Sequence, residues 1–263
     1  MTLRRYEPSL VPFMHQLRER WFQYDALVKL LDNLLASARC KNILSLGCGT
    51  GSVEHRLVQR GYKVTGSDID DTAVAFAREM NKESYPGLLF EVRDMFEISK
   101  SDCFDAVLLL YTELPGDDIC HLLRRLHEII RPGGLFLVNL SVSAPITLGS
   151  TTCGFELLEQ GAIPAVCIST YTREASILHG TEIYMISSDG GKVSIVKDYT
   201  HLPINYWNKV DDDSGFPQWI PVGWQLKQNI DLDEVCPTAA PPFCQQRLLV
   251  FARKNINDSD TGE

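Results

Sequence analysis

Apolar residues change their period several times along this chain, and each change predicts an element. Between Phe13 and Ala36, the residues Leu17, Trp21, Tyr24, Leu27, Val28, Leu31, Leu34 and Leu35 recur every three or four positions. That spacing predicts one or two helices with a single apolar face. From Asn42 onward, short apolar runs alternate with helical stretches. Asn42–Leu46, Lys63–Ser67, Leu88–Val92, Phe104–Leu110 and Leu135–Leu140 read as strands, and Ser52–Arg60, Thr72–Met80 and Asp117–Ile130 as helices. Asp70 or Asp71 is placed to cap the second of these helices. Arg131-Pro132-Gly133-Gly134 is expected to stop the third, because Pro breaks the helix and Gly accepts the turn. The unbroken runs AVLLL and LFLVNL indicate strands buried on both faces, hence a parallel sheet covered by helices. The pattern predicts an α/β fold, a doubly wound and mostly parallel seven-stranded sheet of Rossmann-like form.

The rhythm breaks after Ser141. Residues 142–163 read as mixed loop and short helix. Val166–Tyr171, Thr181–Ser187 and Lys192–Asp198 read as strands, the last two joined by a hairpin turn at Ser188–Gly191. Residues 202–223 form a loop rich in Pro, Gly, acids and aromatics, and Trp224–Ile230 and Gln246–Phe251 are expected to complete the sheet as strands six and seven. The organisation expected is an N-terminal helical segment over 1–40 that caps the site, a core over 41–141, a β-rich insertion over 142–223, closing strands over 224–254, and a disordered tail over 255–263. Roughly eighty residues between strands five and six exceed an ordinary connection, so the insertion is expected to be a lid, or else a dimer contact.

Composition narrows the partners. With 44% hydrophobic and 22% charged residues the chain can bury a core, and a net charge of −9 argues against a broad phosphate-binding surface. The expectation is therefore no nucleic acid. Eight cysteines show neither CxxC spacing nor a His/Cys cluster, which predicts no metal and a reduced, cytoplasmic setting. No apolar stretch behind the N-terminal arginines suggests a signal peptide, and none is long enough to span a membrane.

The candidate chemistry lies where the first strand meets its helix. Ile43–Gly51 reads ILSLGCGTG, and Asp68 ends the next apolar run, YKVTGSD. Glycines allow backbone to approach a ligand, and the new helix offers unpaired N–H groups. An acid beyond the following strand can take both hydroxyls of a ribose. Together these describe a site for an adenosine-bearing cofactor. A dinucleotide fingerprint wants Gly or Ala at the position held by Ser52, and here the third glycine comes one residue early, at Gly51.

From Ile43 to Ser141 the chain resembles the class I S-adenosylmethionine (SAM)-dependent methyltransferase family. The resemblance rests on ILSLGCGTG, Asp68, FEVRDMF (90–96), FDAVLLLYTEL and RPGG before LFLVNL. It implies SAM as cofactor. Gly47, Cys48, Gly49 and Gly51 would hold its amino-acid end and Asp68 its ribose. Asp94 would accept from the adenine amino group, with the Met95 N–H facing the ring. Ile69, Met95 and Phe96 would wall the adenine, and Leu110 and Tyr111 would line the methionine part. As catalytic candidates, Tyr111 and Glu113 follow the fourth strand, Asn139, Ser141 and Ser143 end or follow the fifth, and His201 could reach over from the insertion. Tyr6 and Tyr24 could close the site.

The reading expected is a SAM-dependent methyltransferase for a small-molecule acceptor, a monomer or homodimer, with the accepting O, N, S or carboxylate left open. The rivals are an RNA or protein methyltransferase and a protein that binds SAM without transfer. LYTELPG after the fourth strand lacks an NPPY-like motif, and Ser52 with RPGG weakens a nicotinamide oxidoreductase.

Overall fold

The computed structural model describes residues 10–81, 85–98, 103–111, 114, 116–143, 151–160, 163–174, 177–188, 192–203, 220–236 and 245–254. Helices α1 (Val11–Trp21) and α2 (Tyr24–Ser37) come first. They lead into β1 (Asn42–Leu46), α3 (Ser52–Gln59), β2 (Lys63–Asp68), α4 (Asp71–Met80), β3 (Leu88–Val92), β4 (Phe104–Leu109), α5 (Gly116–Ile129) and β5 (Ile130–Ser143). Strands β6 (Thr151–Gln160), β7 (Ile163–Glu174), β8 (Ile177–Ser188) and β9 (Lys192–Pro203) make the insertion, and β10 (Trp224–Asp231), α6 (Leu232–Val235) and β11 (Gln245–Arg253) close the chain.

The main sheet has seven strands in the order β10-β11-β5-β4-β1-β2-β3. Strands β1 to β5 pair in parallel, whereas β11 lies antiparallel to both β5 and β10. Ile43, Ala106, Leu108 and Leu137 face α2 and α3, where Leu27, Leu31, Leu35 and Leu57 are fully buried. Leu44, Leu46, Val107, Leu109 and Val138 face the other way, onto Ile119, Leu122, Leu123 and Leu126 of α5. Burial on both sides explains the unbroken apolar runs.

Two local readings need correction. The stretch 142–163 is not loop and short helix: Thr151–Gln160 is a ten-residue strand, paired with β7 from Thr151↔Thr172 to Gln160↔Ile163. Gly154 and two glutamates hide its period, and cross-strand pairing supplies what propensity does not. The insertion is thus a four-stranded antiparallel sheet, β6-β7-β8-β9. The start of strand five also moves: the helix stops ahead of Arg131–Gly134 as expected, but those residues belong to β5. The helix ends at Ile129, and β5 starts at once and bulges there, since Phe104 pairs with Ile130 but Ala106 pairs with Leu135. Gly133 takes a φ of +75°, and a Cβ on Gly134 would stand 2.5 Å from the Asp105 carbonyl oxygen. The Asp105 carboxylate fixes this bulge to the start of β1: it accepts from Arg131 Nε at 2.6 Å and from the N–H groups of Lys41 and Asn42 at 2.6 and 2.8 Å.

Helix α1 has two committed faces. Leu10, Phe13, Met14 and Leu17 pack on Cys167, Tyr184 and Ile186 of the inserted sheet, with the Phe13 and Tyr184 rings edge-on at 5.7 Å. His15 and Glu19 look the other way. His15 Nδ1 makes a hydrogen bond of 2.9 Å with Thr50 Oγ1, and Glu19 pairs with Arg56 of α3 at 2.7 Å. The aromatics Tyr206, Trp207, Phe216 and Trp219, the acids Asp211–Asp213 and the turn residues Asp189–Gly191 lie outside the described residues.

Candidate functional site

At the carboxyl end of β1 the backbone turns through three left-handed glycines, with φ of +66° at Gly47, +53° at Gly49 and +80° at Gly51. Only glycine takes such a run without strain. Gly51 has a second reason to lack a side chain, because a Cβ there would stand 2.5 Å from Phe90 Cζ. The Cys48 N–H donates to the Ser67 carbonyl at 3.0 Å, and the Gly51 N–H to the Cys48 carbonyl at 3.0 Å. Burial pushes the Cys48 thiol well above its ordinary range, so it stays neutral in the turn.

Asp68, at the end of β2, is tied into this loop. Its Oδ2 accepts the Gly49 N–H at 2.7 Å and its Oδ1 the Asp70 N–H at 2.9 Å. Burial raises its pKa, while these two bonds pull it down. Each carboxylate oxygen has two lone pairs, so both oxygens keep an accepting position for a diol. Asp70 in turn caps α4, accepting the N–H groups of Thr72 and Ala73 at 2.9 and 3.0 Å. Ile69 is half-buried between the two acids. Asp94 Oδ1 accepts the Phe96 N–H at 2.8 Å, which fixes the turn after β3, and Met95 and Phe96 pack against the α5 side of the sheet.

A cavity of about 190 Å³ opens beside the glycine loop. Arg18 of α1, Phe22, Tyr24, Leu110 and Tyr111 border it together with Ser45, Gly47, Cys48, Gly49 and Glu54. Tyr111 sits at the end of β4 with a left-handed φ of +52°. Its N–H donates to Asn139 Oδ1 at 3.2 Å, and Asn139 Nδ2 donates to Gln246 Oε1 at 2.8 Å. The Tyr111 ring lies 4.4 Å from Phe22 and 6.4 Å from Tyr24. Burial holds the Tyr111 phenol far above its usual range and pushes Tyr24 up to about 12. Both phenols therefore remain protonated at neutral pH and can donate a hydrogen bond but not take a proton.

The structure thus brings Gly47, Cys48, Gly49, Leu110 and Tyr111 to one cavity, with Gly51 ending the loop and Asp68 bonded to it through the Gly49 N–H. Glu113 and Tyr6 lie outside the described residues. His201 stands in β9 opposite His179, and nothing of its side chain is described. Ser141 and Ser143 pair with Gln246 and Gln245 of β11. Among the described residues no group of three His, Cys, Asp or Glu could hold a metal, and no helix is long and apolar enough to cross a membrane.

One site residue escaped the sequence reading. Glu54, in the first turn of α3, is 2% exposed and lines the cavity, and its Oε1 accepts the Ser45 hydroxyl at 2.5 Å. Burial raises its pKa to about 7. The signal available was positional: Glu54 precedes Leu57 and Val58 by three and four residues, so it shares their apolar face.

Residues 43–134 match the sequence model of a methyltransferase domain. Over 115 residues the chain is 36% identical to trans-aconitate 2-methyltransferase of Deinococcus radiodurans, covering 42% of each protein. Over 144 residues it is 29% identical to rat (Rattus norvegicus) glycine N-methyltransferase, covering 48% of each. The chain thus spans less than half the length of these curated relatives. The fold is shared with SAM-bound CalS10 from Micromonospora echinaspora, an amino pentose methyltransferase. That match has a TM-score of 0.67 and 17% identity over 97% of this chain and 100% of the other.

Proposed function

We propose, from the match of residues 43–134 to the sequence model of a methyltransferase domain, that the whole chain is a class I SAM-dependent methyltransferase that transfers the methyl group of SAM to a small-molecule acceptor. The observation that carries this reading is the bond from the Gly49 N–H to Asp68 at the carboxyl end of a parallel sheet, with a cavity alongside. Open α/β sheets bind ligands at that end. A relative that methylates glycine, one that methylates trans-aconitate and a fold neighbour that methylates an amino pentose support an acceptor of small size.

The residues present fit the cofactor. Gly47–Gly51 would offer backbone to the amino-acid end, the free lone pairs of Asp68 would take the ribose hydroxyls, and Asp94 with Met95 would take the adenine. Bound SAM supplies an electrophilic methyl on a sulfonium sulfur. The protein's share is then orientation and exclusion of water, which can lower a barrier by several kcal/mol. Phe22, Tyr24 and Tyr111 form an aromatic wall on the cavity, and Asn139 accepts the N–H of the left-handed Tyr111 backbone. With both phenols protonated at neutral pH, the part that suits Tyr24 and Tyr111 is donating a hydrogen bond to the acceptor. The chemistry suits an acceptor that arrives as a free amine, thiolate or carboxylate, or one deprotonated by a group outside the described residues.

Calorimetry with SAM, S-adenosylhomocysteine and NAD, followed by labelled-methyl transfer across a metabolite extract, tests this. Binding of the first two and label in a small product are expected. NAD binding alone would refute the cofactor, label in RNA or protein would refute the acceptor class, and SAM binding with no label in any fraction would mark a sensor.

A further inference from the structure

We propose that Glu54 is the charge partner of the cofactor's amino-acid end: its carboxylate pairs with the bound ammonium and releases a proton to solvent as that end arrives. This rests on the SAM reading above and assigns a role that the glycine loop does not fill. The loop is neutral backbone: its Cys48, Gly49 and Gly51 N–H groups are already taken by Ser67, Asp68 and Cys48, and its carbonyls can accept from an ammonium but bring no countercharge. Glu54 is the acid of the cavity wall, on the helix that the loop opens.

The geometry explains why the proton moves. Glu54 is buried at 2% exposure, and Oε1 has the Ser45 hydroxyl as a neutral donor at 2.5 Å. A charge buried against neutral groups is costly, so the acid holds its proton until a cation pairs with it. The groups facing it add little positive charge. Cys48 in the loop, Tyr24 at the start of α2 and Tyr111 after β4 are neutral at pH 7. The Asp68 carboxylate bonded to the loop disfavours a second negative charge, and Arg18 of α1 is the cation on the cavity wall. Without ligand the Glu54 pKa is raised to about 7. A cation within hydrogen-bond reach lowers a carboxyl pKa by about 1–3 units. The step is simple: the carboxylic acid becomes a carboxylate and an ion pair, and one proton enters the buffer. The released fraction should peak between the free and bound pKa values, near pH ~6.

Calorimetry at that pH in two buffers of different ionisation enthalpy reads the proton directly on the unmodified protein. SAM and S-adenosylhomocysteine should each release most of one proton, whereas 5′-methylthioadenosine, which lacks the amino-acid end, should release none. Glu54→Gln keeps the side-chain shape and an acceptor for Ser45. It should abolish the release and weaken S-adenosylhomocysteine tenfold or more, leaving methylthioadenosine unchanged. Binding of S-adenosylhomocysteine without proton release, or with equal affinity in Glu54→Gln, would overturn the proposal. Release with SAM but not S-adenosylhomocysteine would overturn it too, by moving the role to the sulfonium. Failure of all three ligands to bind the unmodified protein would bring down the cofactor reading itself.

Discussion

The Asp68 carboxylate holds the Gly49 N–H at 2.7 Å, and this bond fastens the end of β2 to the loop that follows β1. The same oxygens are the ones a ribose would use. On the function proposed above, shape of the loop and affinity for the sugar depend on one side chain.

Asp68→Asn should lower the affinity for S-adenosylhomocysteine about 10- to 100-fold. The amide keeps the volume but gives up charge-assisted acceptance, a loss of about 1.5–3 kcal/mol. Calorimetry measures it, and a change under threefold would remove Asp68 from the ribose site.

Gly51→Ala should destabilise the protein by about 2 kcal/mol or more, through the left-handed φ of +80° and the collision with Phe90. The double variant Gly51→Ala/Phe90→Leu should recover part of that loss, because it removes the collision and leaves the backbone strain. Denaturant unfolding reads both. Equal stability of the single and double variants would show that the ring yields freely.

Glu54 makes the unliganded protein weaker as pH rises. Its folded-state pKa, about 7, lies above the ordinary 4.5, so between those values the native state binds more protons than the unfolded chain. The contribution is present below pH 4.5 and is lost as pH climbs through 7. Glu54→Gln cannot titrate. The Tm difference, variant minus unmodified protein, should therefore grow from pH 5 to pH 7.5 and level off beyond. A flat difference would mean that Glu54 is ionised in the unliganded fold.

Arg56 joins three helices: it meets Glu19 of α1 at 2.7 Å and Asp25 of α2 at 2.9 Å from its place on α3. Arg56→Ala should cost about 1 kcal/mol, since the pairs are partly exposed. Hydrogen exchange should quicken in α1 and leave α5 unchanged. Uniform quickening would mean that the pairs do not hold α1 in particular.

The main sheet was legible because its central strands are buried on both faces. AVLLL and LFLVNL have no polar alternative, and the glycine loop interrupts them at one defined place. Strand β6 was not legible, because Gly154 and the glutamates of TTCGFELLEQ take their places from the neighbouring strand. The bulge at Arg131–Gly134 could not be read either. Pro and Gly signal an interruption of the helix, but only the Asp105 contacts turn it into the start of a strand. In the site, the glycines and Asp68 announce themselves by spacing. Glu54 does not, since one acid on an amphipathic helix looks like solvent-facing charge until the apolar neighbours at Leu57 and Val58 are weighed.

Helix α1 divides its residues lengthwise: Leu10, Phe13, Met14 and Leu17 meet the inserted sheet, while His15, Arg18 and Glu19 meet the glycine loop, its cavity and α3. A substitution in the first set acts on the inserted sheet, and one in the second acts on the glycine loop and α3. The boundary between the inserted sheet and the glycine-loop side of the fold therefore runs lengthwise down one helix, not through a linker.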